Sequence, residues 1–328
     1  NLKPNKPKEN TQLTAEWIEY EFHVPGEKEP RKIRRQIFDL VGPAARAKAK
    51  RNGGMPMPKI TEAMRLAFAD RAHWLGDADF APVPKGLASK KYARRLAKRI
   101  DPAKVAKIDA HSTPPDAVTD LFGKHTTHFS AADTDGCWVA CTATVNTTFG
   151  SGAVIPDTGV VMNNEMDDFS AQPGVPNAFG LIGAEANAVD PGKRPLSSMS
   201  PTIVLRDGKP IFTVGAAGGP TIITQVLLAV IQVVDFGKSP AEALVQARFH
   251  HQWKPNRLLV EKKLGQATID ALRAKGHKVK AVNTLQATQA IGLGQAGMFT
   301  GAPDPRGRGV FGVSDKPIAR AQRTRHQD

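Results

Sequence analysis

The sequence predicts an α/β fold with largely antiparallel strand pairing, because short β-type runs are joined by tight turns and followed by helical segments. Two Asp-Gly pairs, which are typical turns of antiparallel hairpins, lie between β-type runs: Asp135-Gly136 between 126–132 and 138–145, and Asp207-Gly208 between 203–206 and 211–214. Later elements are predicted in the order helix 221–236, helix 239–248, and strands 258–261, 279–282 and 297–300. Gly237 is the expected stop of the first of these helices.

Helices are predicted before residue 126. Ile60, Met64 and Phe68 recur at every fourth position, which indicates an amphipathic helix, with Thr61 as its expected N-cap. A second helix is predicted at 89–100. A proline pair and a glycine favour a loop at 109–124.

A change of composition divides the chain. Residues 51–54 read RNGG and are followed by prolines, which is typical of a boundary. We therefore expect a basic polar segment at 1–55, a helical region at 56–125 and a strand-rich region at 126–328.

Composition restricts the class of protein. The chain has 328 residues, 41% of them hydrophobic, and a formal net charge of +14. No apolar run is long enough to predict a membrane span. Cys137 and Cys141 are the only cysteines, and no Cys/His spacing typical of zinc occurs. The basic runs lack interleaved aromatic residues, so nucleic-acid binding is the least favoured function. We expect no metal and no cofactor.

Four segments concentrate chemically useful groups. They are a hydroxyl at a strand start (Thr126), amides and carboxylates at 163–170, three serines at 195–201, and a glycine-rich turn at 215–219. Caps, turns or packing could explain any one of them. Together they supply a hydroxyl nucleophile, carboxylates for a cation, hydroxyls for a carboxylate and N–H groups for an oxyanion. That combination suits acyl transfer from an amino-acid-like donor.

Several motifs resemble one known family. In order they are TTHFS at 126–130, NTTFG at 146–150, NNEMDDFS at 163–170, PGVP at 173–176, KRPLSSMS at 193–200 and ARFHHQW at 247–253. Their order and spacing resemble the small subunit of γ-glutamyltranspeptidases. EAM at 62–64, ADR at 69–71 and LGD at 75–77 resemble the end of that family's large subunit. The resemblance covers residues 59–328.

The resemblance implies an N-terminal-nucleophile (Ntn) hydrolase, an αββα four-layer sandwich made as an inactive precursor. We expect the sandwich to be incomplete, because much of the family's large subunit has no counterpart here. Cleavage between His125 and Thr126 would free the Thr126 amine to act as the base for its own hydroxyl. We therefore expect His128 to be structural rather than a base.

The resemblance also assigns roles to individual residues. Thr144 would orient the Thr126 hydroxyl. The donor α-ammonium would be bound by Asn146, Glu165 and Asp168, and its α-carboxylate by Ser197 and Ser198. The N–H groups of Gly218 and Gly219 would form the oxyanion hole, and Phe179 would lie in a lid. The family's carboxylate-binding arginine lies in the region without a counterpart. Arg194 is expected to shape its own loop rather than replace it.

The implied donor is glutathione or another γ-glutamyl amide, and the acceptor is an amino acid, a peptide or water. The two cleaved fragments would remain associated, and the family's compartment is periplasmic or extracellular. A different class of function is a non-catalytic structural or interaction module that keeps the small-subunit fold. A third alternative is an acylase for glutaryl donors, as in related cephalosporin acylases. Glu165 and Asp168 argue against it, because glutaryl groups have no ammonium.

Overall fold

The computed structural model describes residues 20–22, 31–33, 51, 55–81, 83–112, 127–177, 180–294, 297–307 and 309–313. Its helices are α1 (Met57–Trp74), α2 (Lys90–Ala97), α3 (Thr221–Val234), α4 (Pro240–Leu244) and α5 (Gln266–Ala274). Its strands are β1 (Tyr20–Phe22), β2 (Arg31–Ile33), β3 (Thr127–Ala132), β4 (Trp138–Ala143), β5 (Thr202–Arg206), β6 (Lys209–Ala216), β7 (Phe249–His250), β8 (Leu258–Glu261), β9 (Val279–Val282), β10 (Thr288–Leu293) and β11 (Phe299–Ala302). Within these ranges, no helix combines the length and the hydrophobicity that a membrane span requires.

The predicted α/β class with largely antiparallel sheets is confirmed. The main sheet has the order β11-β10-β6-β5, and all its pairs are antiparallel. Both predicted hairpins form, β3–β4 and β5–β6. Asp207 and Gly208 have φ values of 51° and 74°, as a two-residue hairpin turn with the twist of its strands requires. The pair β8–β9 is parallel.

The β3–β4 hairpin lies against β6 and β10, and α3 packs on β6 as well. Side chains alternate between the two faces of a strand. His128 of β3 is accordingly buried, while its neighbour Phe129 is 55% exposed. The outer face of the hairpin therefore presents apolar side chains to solvent in the part of the chain that the structure describes.

Helix α3 is apolar around its whole circumference and is almost completely buried. One face, including Val226 and Val230, joins the core beneath the main sheet. Another face, including Leu227 and Ile231, joins a second core with α1, α2, β8 and α5. The helix therefore fixes the upstream helical region relative to the main sheet.

Some element boundaries differ from the sequence predictions. Helix α1 begins at Met57 after Pro56, so Thr61 lies inside the helix and is buried; the prediction that it is the N-cap was wrong. The predicted helix at 89–100 is shorter, and Ser89 caps it by accepting a bond from the Tyr92 N–H. Gly237 has a φ of 67°, which confirms it as a helix stop.

The second predicted helix after residue 221 ends at Leu244, because the chain then turns into β7 and pairs with β8. Strands β8 and β9 have the predicted bounds, whereas the last strand is Phe299–Ala302. Strand β10 and helix α5 were not predicted. The division at residue 55 and at residue 126 stays a prediction.

A network of buried charges fixes the segment that contains Asp304 and Arg306 to the sheet. Arg248 pairs with Asp304, and both side chains are almost fully buried. Arg306 pairs with Asp304 and with Glu261. The Thr288 N–H also donates to the Asp304 carboxylate at 2.9 Å. Each of these charges has lost its water and depends on its protein partners.

We expect Asp304→Ala to lower the free energy of unfolding by about 3–5 kcal/mol, because it leaves the Arg248 guanidinium buried without its carboxylate. The control is Asp270→Ala. Asp270 pairs with Arg273, but both side chains are about half exposed. Removing such an exposed pair costs less than about 1 kcal/mol. Urea unfolding of both variants measures the difference, and equal losses would contradict this account of the network.

Candidate active site

The glycine-rich turn joins β6 to α3. Gly218 and Gly219 have φ values of 119° and 60°. A Cβ on Gly218 would lie 2.6 Å from the Thr221 hydroxyl oxygen and 2.7 Å from Gln286 Cγ. Only glycine fits at Gly218, because both the backbone conformation and the space exclude a side chain.

Two side chains of α3 hold the carbonyls of this turn. Gln225 Nε2 donates to the Ala217 carbonyl at 2.8 Å, and the Thr221 hydroxyl donates to the Gly218 carbonyl at 2.7 Å. In a trans peptide the C=O and the following N–H point in opposite directions. The N–H groups of Gly218 and Gly219 therefore emerge together on the other side, and neither reaches an acceptor among the described residues. They lie at the positive end of the α3 dipole, where an anion is stabilised.

The Gln225 side chain is itself held in place by two hydrogen bonds. Its Oε1 accepts one bond from Arg248 Nη1 and one from the Thr288 hydroxyl, each at 3.0 Å. The glycine turn thus rests on the buried Arg248–Asp304 network. Sequence reasoning missed Gln225. Its signal was a side-chain amide in a mostly apolar helix, a signal that Gln232 shares, because buried amides are usually hydrogen-bonded.

His128 lies between the β3–β4 hairpin and the main sheet. Its Nδ1 is 2.7 Å from the Thr142 hydroxyl, and its Nε2 is 3.0 Å from the Ser130 hydroxyl. Burial lowers the pKa of His128 to about 4, so the ring is neutral at pH 7. A Cβ on Gly215 would lie only 2.2 Å from His128 Nδ1. The ring therefore packs directly on the β6 backbone, which agrees with the expected structural role.

Thr144 follows β4, one residue beyond Ala143, which pairs with Thr127. Its hydroxyl oxygen accepts a bond from the Asn146 N–H at 2.8 Å. Asn146 is buried with a φ of 74°, and its Nδ2 donates to the Asn164 carbonyl at 3.0 Å. The Asn146 Oδ1 is buried and has no hydrogen-bond partner in the described part of the chain. A buried acceptor of this kind favours a ligand that donates.

The next turn, Glu165–Asp168, brings two acidic side chains together. Asp168 is 1% exposed. Burial raises the pKa of Glu165, and a side-chain hydrogen bond with Asp168 opposes that rise. Neighbouring carboxylates repel each other when both are ionised, so a cation between them would be stabilised. Asn164 directly precedes the turn and accepts the bond from Asn146 through its backbone carbonyl. This bond places the Asn146 Oδ1 in the same cluster as the acidic side chains.

Asn187 and Arg71 connect this acidic turn with the serines. Asn187 Nδ2 donates to the Asp168 carbonyl at 2.7 Å, and its Oδ1 accepts from the Leu196 N–H at 3.1 Å. Arg71 Nη2 donates to the Ser198 hydroxyl oxygen at 3.0 Å. Burial lowers the pKa of Arg71 to about 10, and the charge of Asp168 opposes this. Arg71 stays protonated at neutral pH.

The serine segment is held at its other end by Arg194. Arg194 bonds to Asp77 through its backbone N–H and its guanidinium, and it also pairs with Asp79. Burial opposes ionisation of Asp77, but the hydrogen bonds from Arg194 lower its pKa to about 2. These contacts agree with the expected role of Arg194 in its own loop. Ser198 is buried, and Ser197 Oγ accepts a bond from the Met199 N–H at 3.1 Å.

The structure thus brings Asn146, Glu165, Asp168 and Ser198 into one connected set, and it forms the Gly218–Gly219 turn. Three predicted residues, His125, Thr126 and Phe179, lie outside the described residues. Sequence reasoning gave Arg71 and Asn187 no role. The signal for Arg71 was available, because an arginine in a helix with this many apolar residues must be paired when buried.

The family model for γ-glutamyltranspeptidase matches residues 2–313 of the chain. That match extends through the first 55 residues, which the motifs left unassigned. The chain is 48% identical over 251 residues to the glutathione hydrolase proenzyme of Escherichia coli, which covers 76% of this chain and 43% of that protein. It is 42% identical over 256 residues to a Pseudomonas protein of the same name, covering 75% and 44%. The chain spans less than half the length of these curated relatives.

Solved structures give the same indication. A γ-glutamyltranspeptidase from Pseudomonas nitroreducens, complexed with L-DON, superposes with a TM-score of 0.55 and 42% identity, covering 58% of this chain and all of that chain. A cephalosporin acylase from Bacillus halodurans superposes with a TM-score of 0.66 and 25% identity, covering 83% and 48%. The resemblance and the Ntn-hydrolase fold inferred from the motifs are thereby confirmed.

We expect Gly215→Ala to lower the free energy of unfolding by about 1–3 kcal/mol, because the new methyl group overlaps the His128 ring. Gly312→Ala is the control, since a Cβ there meets nothing within 4 Å. Adding His128→Ala to Gly215→Ala should recover part of the loss by removing the ring. Urea unfolding measures all three, and a neutral Gly215→Ala would show that the contact between hairpin and sheet is loose.

Proposed function

The chain belongs to the γ-glutamyltranspeptidase family, and on that premise we propose that it transfers or hydrolyses the γ-glutamyl group of glutathione and other γ-glutamyl amides. The observation that supports this most is the buried link between an acidic cluster and a serine hydroxyl. Arg71 bonds to the Ser198 hydroxyl and is attracted by the charge of Asp168. Asn187 bonds to the Asp168 carbonyl and to the N–H of Leu196, which lies just before the serines. An α-amino acid carries an ammonium and a carboxylate on one carbon, and this site offers a partner for each.

The ammonium would bind in the acidic cluster. Glu165 and Asp168 supply carboxylates, and Asn146 supplies the buried Oδ1 without a described partner. Charge-assisted hydrogen bonds are about twice as strong as neutral ones. The α-carboxylate would accept hydrogen bonds from the hydroxyls of Ser197 and Ser198. The γ-glutamyl amide would then extend from this anchored end toward the nucleophile.

The proposed nucleophile is Thr126. It precedes Thr127, the first residue of β3, and covalent geometry keeps neighbouring Cα atoms about 3.8 Å apart. In the precursor its hydroxyl would attack the His125 carbonyl. An N→O acyl shift gives an ester, and water cleaves the ester to leave the His125 carboxylate and a free Thr126 amine. That amine then accepts the Thr126 hydroxyl proton during catalysis, while Thr144 orients the hydroxyl.

Attack on the γ-carbonyl places negative charge on its oxygen. The N–H groups of Gly218 and Gly219 face away from the carbonyls held by Gln225 and Thr221, so they could receive that charge. Losing one such donor typically costs about 3 kcal/mol. The leaving amine takes the proton from the Thr126 ammonium. An amino acid, a peptide or water then attacks the γ-glutamyl ester and restores the free hydroxyl.

The two fragments made by this cleavage would remain associated. Helix α1 lies before the cleavage site and shares one hydrophobic core with α3 and β8, which lie after it. Trp253 Nε1 donates to the Ile108 carbonyl at 2.9 Å, and Arg71 reaches Ser198. Cutting the chain between His125 and Thr126 removes none of these contacts.

We expect the expressed chain to cleave itself between His125 and Thr126, because the proposed nucleophile directly precedes Thr127, the first residue of β3. Intact mass should show two pieces, the second beginning at Thr126. Thr126→Ala, with no hydroxyl to attack, should stay whole. Gly312→Ala is the matched control and should be cut like the parent chain. A folded parent chain that remains uncut would overturn the processing step.

We expect Asp168→Asn to lower kcat/KM for γ-glutamyl-p-nitroanilide roughly 10- to 150-fold, the equivalent of one charge-assisted contact of about 1.5–3 kcal/mol. Glutaryl-p-nitroanilide lacks the α-ammonium, so its kcat/KM should change less than about 3-fold. Asp190→Asn, at an exposed position, is the control and should affect neither donor. Equal losses for both donors would show that Asp168 does not bind the ammonium.

A further inference from the structure

We propose that Arg71 is the positioning residue for the donor α-carboxylate, holding the Ser198 hydroxyl as a hydrogen-bond donor and placing a positive charge behind it. This inference rests on the proposed function and concerns the carboxylate half of the same site. Arg71 comes from α1, upstream of the proposed cleavage site, and it acts through Ser198 rather than through a reacting atom.

The location of Arg71 carries the first step. The residue is 7% exposed and lies in a helix that contributes residues from Met57 to Trp74 to a hydrophobic core. Removing a guanidinium from water costs several kcal/mol unless protein groups replace the water. Its Nη2 is 3.0 Å from Ser198 Oγ, and the Asp168 carboxylate acts on its charge. Arg71 therefore bonds to the serine half of the proposed amino-acid site and is attracted electrostatically by the acidic half.

The hydrogen bond between Arg71 and Ser198 can run in only one direction. Arginine has five N–H donors and no acceptor. Ser198 must therefore accept from Arg71, which directs the hydroxyl proton toward another group. A carboxylate offers only acceptors, so Ser198 can bind it only as a donor. Arg71 thereby fixes the hydroxyl in the orientation that an α-carboxylate requires.

The charges around the proposed α-carboxylate position need a cation for balance. Ser197 and Ser198 are neutral, and the nearby Glu165 and Asp168 are acidic. An α-carboxylate bound beside these acids would be repelled without a compensating cation. Arg194 is engaged by Asp77 and Asp79. Among the described side chains that touch Ser198, the Arg71 guanidinium supplies that cation.

The experiment measures binding at equilibrium, so it does not depend on turnover. Isothermal titration of the full chain uses L-glutamate, 4-aminobutyrate and glutarate. L-glutamate and 4-aminobutyrate differ only in the α-carboxylate, whereas L-glutamate and glutarate differ only in the α-ammonium. The ratio of affinities within the first pair therefore reports the carboxylate site alone.

Arg71→Gln should weaken L-glutamate at least roughly tenfold and change 4-aminobutyrate less than roughly threefold, because the charge that orients the Ser198 hydroxyl toward the α-carboxylate is lost. Arg71→Lys keeps the charge and should recover part of the ratio. Arg65→Gln is the control, since Arg65 is equally buried on α1 but bonds to Glu62 and the Ala106 carbonyl. It should lower stability and leave the ratio unchanged.

The outcomes separate the two proposals. A parent chain that binds none of the three ligands overturns the proposed function, and the role of Arg71 with it. A parent chain that prefers L-glutamate, with a preference that survives Arg71→Gln, overturns only the role of Arg71. Equal weakening of L-glutamate and 4-aminobutyrate does the same. If Arg71→Gln does not fold, Arg71→Lys decides: a ratio lowered at least roughly threefold from that of the parent supports the role of Arg71, and a ratio equal to that of the parent overturns it.

Discussion

The hydrogen bond from Gln225 to the Ala217 carbonyl is the interaction on which the geometry of the site depends. It sets the orientation of the peptide plane between Ala217 and Gly218. The bond from the Thr221 hydroxyl to the Gly218 carbonyl sets the orientation of the next peptide plane. Both bonds come from α3, the helix shared by the two hydrophobic cores. Gln225 is in turn fixed by Arg248, whose charge is balanced by Asp304. Oriented N–H groups are thus obtained from packing far below the surface, before any ligand arrives.

Helix α1 makes the upstream region part of the site rather than a cover for it. Its buried charged side chains each have a partner in a distant segment. Arg65 and Glu62 bond to the backbone of Ala106, Asp70 accepts from the Ser112 N–H, and Arg71 reaches Ser198. Burying so many charges on one helix is costly. The cost is offset only if the segments they join keep fixed relative positions, so these contacts define where the chain on either side of the proposed cleavage site must lie.

The sequence predicted what local chemistry determines. Asp207-Gly208 specified its hairpin because few other residues adopt that turn. The motifs around Asp168 and Ser198 predicted a site because their functional groups are close in sequence, and that site stays a prediction. The sequence did not predict the features that depend on tertiary contacts. Strand β10 could not be found from its own pattern, since its register depends on β6 and β11. Gln225, Asn187 and Arg71 matter through partners at least eight residues away, which no local pattern reveals.

Selectivity for an amino-acid head group follows from what each ligand leaves unpaired. In the proposed site, an α-amino acid would bring an ammonium to Glu165 and Asp168 and a carboxylate to Ser198, so it would satisfy both halves of the site. A glutaryl group would place its carboxylate beside Ser198 but bring no ammonium to the two acidic side chains. A ligand with only the ammonium would leave Arg71 without the second anion. A buried charge without its partner costs more than a weak contact gains. The site would therefore discriminate by penalising incomplete ligands, and the penalty grows with the burial of Asp168 and Arg71.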